Sequence, residues 1–172
     1  MNKASAVAFV YEVQADLARA GVSVRHYLPI VQAIYTPLRE EFERELEEYT
    51  YRSSKKAEEL VLKVNARGAI DEKALADIRA IVASRDAAVA EATRTLDVWR
   101  WSKYVDVLSL IKEAAICAYG HDAKGVGEVI RASGYGHHGM SIGPHVPWDE
   151  AVYAMLSRLY EIASVSELET KD

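Results

Sequence analysis

Only one cysteine, Cys117, occurs among the 172 residues, so the chain cannot form a disulfide framework within itself. Its place in the apolar run Ile116-Cys117-Ala118 suits a reducing compartment or a simple buried thiol. Amides are nearly as scarce: Asn2, Asn65, Gln14 and Gln32 are all there are. Few heat-labile amides beside plentiful Glu, Arg and Lys read as a thermophile's composition; a high-GC genome gives the same bias. A basic surplus is also missing. The formal net charge is -5, which excludes a whole-molecule attraction to nucleic acid and leaves phosphate contact to local patches or to a more basic partner. No apolar run reaches the length of a signal peptide core or a membrane span, since MNKASAVAFVYEVQADLA meets Glu12 and Asp16 first. The expectation is no targeting segment, no membrane span, and a cytoplasmic location (or a virion, for a coat protein).

What is present is the balance of a globular protein: 50% apolar and 27% charged residues exclude intrinsic disorder of the whole chain. Glycine is absent from 22–67 and again from 69–119, whereas seven of the nine glycines and four of the five histidines crowd into 120–147. The chain therefore reads as a helical body, a Gly/His-rich loop segment over 120–147, and a last helix over 148–165. The predicted class is all-α, one helical domain over 1–172. A long antiparallel helical hairpin packs with N- and C-terminal helices into a bundle, and about 38–99 projects as an arm.

The periodicities place the elements. Ala6, Val10, Val13 and Leu17, with Phe9 beside them, predict a first helix stopped by Gly21. Pro29 and Pro37 then predict only short, kinked helical pieces over 24–36, because each proline removes a backbone donor and crowds the preceding turn. From Leu38 onward, Phe42, Leu46, Tyr49, Ser53, Ala57, Leu60 and Val64 are spaced 4-4-3-4-4-3-4, an eleven-residue repeat that implies a nearly straight helix. Glutamates crowd its start (Glu40, Glu41, Glu43, Glu45, Glu47, Glu48) and Lys55, Lys56, Lys63 and Arg67 its end, which complements the helix dipole. Gly68 ends it and Asp71 caps a returning helix over 72–119. That helix carries a narrow stripe at first, read as Leu75, Ile78, Val82, Val89, Leu96 and Trp99. From Trp101 to Ala118 it is apolar nearly all round and must be covered on every side. Asp122 caps a short helix to Ala132. After the loop SGYGHHGMSIGPHVP, a helix opening at Pro147 turns Val152, Leu156, Leu159 and Ala163 inward, with a frayed tail from Ser166.

Several constellations offer chemistry. His137, His138 and His145 are the alternative metal set, with His121 upstream. An adjacent pair reaches one ion poorly, however, and neither HExxH nor paired-cysteine spacing is present, so no metal or cofactor is assigned. Lys124-Gly125-Val126-Gly127 suggests a phosphate cradle, but no strand precedes it and no GKS or GKT follows. Trp99-Arg100-Trp101-Ser102-Lys103-Tyr104 interleaves aromatics with cations, suited to stacking on bases through Arg100 and Lys103 or, preferred here, to anchoring a protein interface. Arg131 and His137, separated by five residues at a helix–loop junction, resemble the R-x4–6-H motif of HEPN domains, helical bundles many of which cut RNA without metal. The resemblance implies that Arg131 would steady the scissile phosphate and His137 would move protons. It covers the motif alone, with Ala132 where the family usually has a polar residue.

With no reactive constellation dominating, the expectation is a non-enzymatic structural or assembly protein that packs against itself or a related subunit. Its interface anchors would be Tyr49, Tyr51, Trp99 and Trp101. Concrete forms are a coat-type subunit of a helical nucleoprotein filament, as in thermophilic archaeal viruses, or a small helical subunit of a ribonucleoprotein complex. The rival is the HEPN-like ribonuclease.

Overall fold

A computed structural model describes residues 1–68, 70–135 and 147–169, with side chains described except at 147–149 and 166–169. Among the described residues the chain is all-α, with no strand: α1 (Lys3–Arg19), α2 (Val24–Asn65), α3 (Glu72–Tyr119), α4 (Ala123–Ser133) and α5 (Pro147–Glu169). The long antiparallel hairpin is formed by α2 and α3. Contacts divide the chain into two compact units, one of Met1–Glu41 with Arg100–Asp172, the other of Phe42–Trp99.

The first unit is the bundle and holds most of the buried apolar side chains. The Asn2 side chain accepts the Ser5 N–H at 2.9 Å to start α1, which buries Ala6, Val13 and Leu17 and gives way to Gly21 at φ 82°. The opening of α2 corrects the expectation of short pieces: one helix runs unbroken from Val24 through both Pro29 and Pro37. Each proline forfeits one helical hydrogen bond. Against that loss, Tyr27, Ile30, Ile34 and Leu38 bury one continuous face, and the packing holds the helix together. In α3 the stretch from Trp101 is covered on most sides, with Leu108 and Ile111 each 1% exposed and Ala114, Ala115 and Ala118 at 0%, while Asp106 and Glu113 face outward. The small alanines let α3 sit close against its neighbours, so it forms the bundle's centre. Val152, Leu156, Leu159 and Ala163 of α5 are all buried, the inward face that the sequence predicts, and α4 packs on α5. α5 is helical to Glu169, past the frayed tail expected from Ser166.

The second unit contains only α2 from Phe42 and α3 up to Trp99. Asp71 caps α3 as predicted, its carboxylate accepting the Ala74 N–H at 2.7 Å, and Arg67 reaches Asp77 across the turn at 3.9 Å. Gly68 at φ 119° supplies the backbone that L side chains rarely adopt. Burial here is thin: among the described residues of the unit, Phe42, Ala57 and Val64 are the buried hydrophobic ones. The face of α3 turned to α2 matches the predicted stripe in part, with Ile78, Val89 and Leu96 half-buried. Leu75 is 45% exposed and Val82 37%, whereas Ile78, Ile81, Arg85, Ala88, Ala92 and Leu96 are half-buried. Ile81 and Val82 are both apolar and lie about 100° apart on the helix. The flanking alanines favour neither direction, so the pattern alone chose Val82 where Ile81 is the more buried.

Candidate functional site

The hairpin unit carries two adjoining grooves along one face. One encloses about 710 Å³ and is lined by Glu45, Glu48, Tyr49, Arg52, Ala88, Glu91, Ala92, Thr95 and Leu96. The other encloses about 420 Å³ between Tyr49, Ser53, Lys56, Ala57, Leu60, Ala80, Ile81, Ser84, Arg85 and Ala88. Tyr49 and Ala88 line both, so the grooves join there. Their origin is the sequence of the seam. Where a tightly paired hairpin would carry Leu or Ile, this one has Ser53, Ala57, Ser84, Ala88 and Ala92, too short to fill the space between two helix axes 8–10 Å apart. Large side chains beside these gaps stay exposed: Tyr49 and Leu60 are each 40% accessible.

Charge is distributed unevenly along this face. Glu45, Glu48 and Glu91 stand at one end, where Arg52 is bridged to Glu48 and Arg94 to Glu91 at 2.6 Å. Glu91 is held below its usual carboxylate range, first by the hydrogen bond from Arg94 and then by that residue's charge. Lys56 and Arg85 stand at the other end, Arg85 bridged at 2.6 Å to Asp86. Neither Glu45 nor Lys56 makes an ion pair with a described residue.

The predicted anchors do not gather in one place. Tyr49 is in the grooves, but Tyr51, 66% exposed, points about 200° away around α2. Trp99 is 38% exposed, whereas Trp101 is buried at 5% and corrects its assignment as an interface residue. Two positions on a helix separate their side chains onto opposite sides, and Trp101 takes the core side. Its ring stacks on Tyr35 at 5.9 Å and meets Tyr104 edge-on at 6.1 Å. Burial among these rings pushes the Tyr104 hydroxyl up to about 12. Arg100 lies 4.7 Å over the Trp101 ring, and both Arg100 and Lys103 are half-buried and engaged within the chain. The sequence signal for nucleic-acid contact at these two cations thus coincides with an intramolecular role.

The other constellations resolve unevenly. Gly125 does not cradle phosphate: its N–H donates to the Asp122 carboxylate at 2.8 Å, so the donor is occupied and a negative charge sits where an anion would bind. A Cβ at Gly125 would collide with that carboxylate and come within 2.9 Å of Cys117 Sγ. The Cys117 thiol is pushed up by burial and then by the charge of Asp122, away from reactive thiolate character. Arg131 is exposed in the last turn of α4. His137, His138 and His145 lie outside the described residues, and among the described residues no cluster of metal-ligating side chains occurs.

Sequence reading missed a small cavity of about 120 Å³ in the bundle unit, where Arg25, His26, Tyr119 and Arg158 surround an apolar floor of Ile30 and Leu159. His26 stacks on Tyr119 at 4.8 Å. These residues come from three helices far apart in the chain, and no local spacing announces them. The grooves of the hairpin were missed for a different reason, since they follow from small residues rather than from any motif. No family model, no curated protein and no solved structure matches this chain.

Proposed function

We propose that this is a non-enzymatic structural or assembly protein that works by packing its 42–99 hairpin against another copy of itself or a related subunit. The observation that carries this reading is the under-filled seam, with two joined grooves flanked by Tyr49 and Leu60 in a unit that, among its described hydrophobic side chains, buries only Phe42, Ala57 and Val64. Two helices alone rarely hold such a length, because each ordered residue gives up roughly 1–2 kcal/mol of backbone entropy. A second layer of helices would supply the missing contacts. A coat-type subunit of a helical nucleoprotein filament, or a small helical subunit of a ribonucleoprotein complex, is the concrete form of this role by analogy of architecture. With Arg100 and Lys103 engaged internally, any nucleic acid would be met through other basic patches or a basic partner.

Light scattering on the purified full chain, in low and in moderate salt, tests this reading. The expected result is a mass above that of the 19.1 kDa monomer, falling as salt screens the charged face. A strictly monomeric mass in both conditions would refute it. The enzymatic rival has its own discriminating assay. Ribonuclease activity that is lost in both Arg131→Ala and His137→Ala would put the HEPN-like reading first; the expectation is that no such activity is found.

A further inference from the structure

We infer that the occupant of the hairpin grooves is a second copy of this chain, docked face to face and antiparallel, about a two-fold axis passing beside Tyr49 and Ala88. The inference rests on the assembly reading above and adds the partner and its register. Four charges of the face are spaced about nearby centres, two of them, Glu91 and Arg85, also bridged within their own helix. On α2, Glu45 and Lys56 are eleven positions apart, about 16 Å of helix, and their midpoint falls between Thr50 and Tyr51, one turn or less beyond Tyr49. On α3, Glu91 and Arg85 have Ala88 as their midpoint. Tyr49 and Ala88 are the two residues shared by both grooves, so both charge pairs, on two different helices, are centred within about a turn of the place where the grooves join.

That symmetry selects one mode of docking. A two-fold axis lying in the face and perpendicular to the helices sets α2 against α2 of the second copy and α3 against its α3, each running antiparallel. Glu45 then opposes Lys56 of the second copy, and Glu91 opposes its Arg85, each contact occurring twice because the interface is isologous. The parallel alternative, with the axis along the helices, sets α2 on α3 of the second copy. It brings Glu45 to the level of Glu91 and Lys56 to that of Arg85, like charge on like charge, which disfavours it. Packing agrees with the antiparallel choice. Ala88 meets Ala88 of the second copy at the axis, where the short side chain permits close approach, and Tyr49 fills the neighbouring space. Glu45 and Lys56 are exposed and make no ion pair with a described residue, so they are available for this pairing at no internal cost.

Charge exchange tests the register. Association of the full chain is measured by analytical ultracentrifugation for the wild type, Glu45→Lys, Lys56→Glu and the double variant, with circular dichroism to follow helix content. Each single reversal turns two attractive contacts into repulsive ones and is expected to weaken association by about tenfold, a modest effect suited to rim pairs. The double variant, which restores opposite charges in the same geometry, is expected to recover the wild-type constant. Ala88→Cys in a Cys117→Ser background should also cross-link to itself through a short bis-maleimide, since only the antiparallel arrangement brings two copies of position 88 together. If the wild type associates while the double variant binds no better than the single reversals, or position 88 does not cross-link, the register is overturned and the assembly reading stands. A wild type that remains monomeric overturns both.

Discussion

Lys112 reaches from α3 to the carboxylate of Asp16 on α1, 3.0 Å away, and Arg19 approaches the same carboxylate from the next turn of α1. The hydrogen bond from Lys112, followed by that from Arg19, holds Asp16 below its ordinary range. The charged form of Asp16 is therefore favoured by folding. Its stabilising contribution is complete above the unfolded value, near about pH 4, and is lost as pH falls through the lowered folded value. Asp16→Asn keeps the shape and removes the titration. Thermal melts taken between about pH 2 and pH 5 should fall less steeply for Asp16→Asn than for the wild type, and at neutral pH the variant should melt lower. Equal acid limbs would mean that Asp16 does not hold its partners in solution. Neither the pair nor its spacing of 96 residues carried a signal in the sequence, because an Asp on an amphipathic helix normally faces water.

α3 passes through two different environments, and its first and last residues are where the sequence places them. Those ends were legible because capping chemistry is local: Asp71 with Glu72 at the start, a glycine-rich stop at the end. The all-round apolar half was legible for the same reason, since it needs no choice of direction. The register of the first half was legible only in part, because alanine dominates it and the apolar residues Ile81 and Val82 compete for the inward position. α2 shows the converse limit, where prolines that forbid a regular helix by local rules are overridden by the burial of Tyr27, Ile30, Ile34 and Leu38. The two halves of α3 should respond unequally to truncation. Leu108→Ala or Ile111→Ala, in the covered half, should each cost roughly 2–5 kcal/mol, and Leu75→Ala less than about 1 kcal/mol. Urea denaturation of the three variants measures the difference, and equal costs would show that Leu75 is packed in solution.

Across the whole molecule, burial divides with the two units. Among the described residues the bundle places some twenty apolar side chains in one core, whereas the hairpin from Phe42 to Trp99 buries three and leaves Leu62, Ile70, Leu75 and Val98 each over 40% exposed. Local stability follows local burial, so amides of the two units should open with different free energies. Native-state hydrogen exchange on the full chain resolves them. Amides of 104–118 and 152–163 should exchange slowly at every protein concentration, because their protection comes from contacts within the chain. Amides of 45–60 and 81–96 should exchange faster in dilute solution and slow down as the protein is concentrated, since a second copy on the grooves would bury Tyr49, Leu60 and Ile81 and bind only the ordered hairpin. Added salt should return those amides toward the dilute behaviour by screening the charged ends of the face. Slow exchange of 45–60 that is indifferent to concentration would mean that the hairpin is stable alone, and the under-filled seam would then no longer argue for a partner.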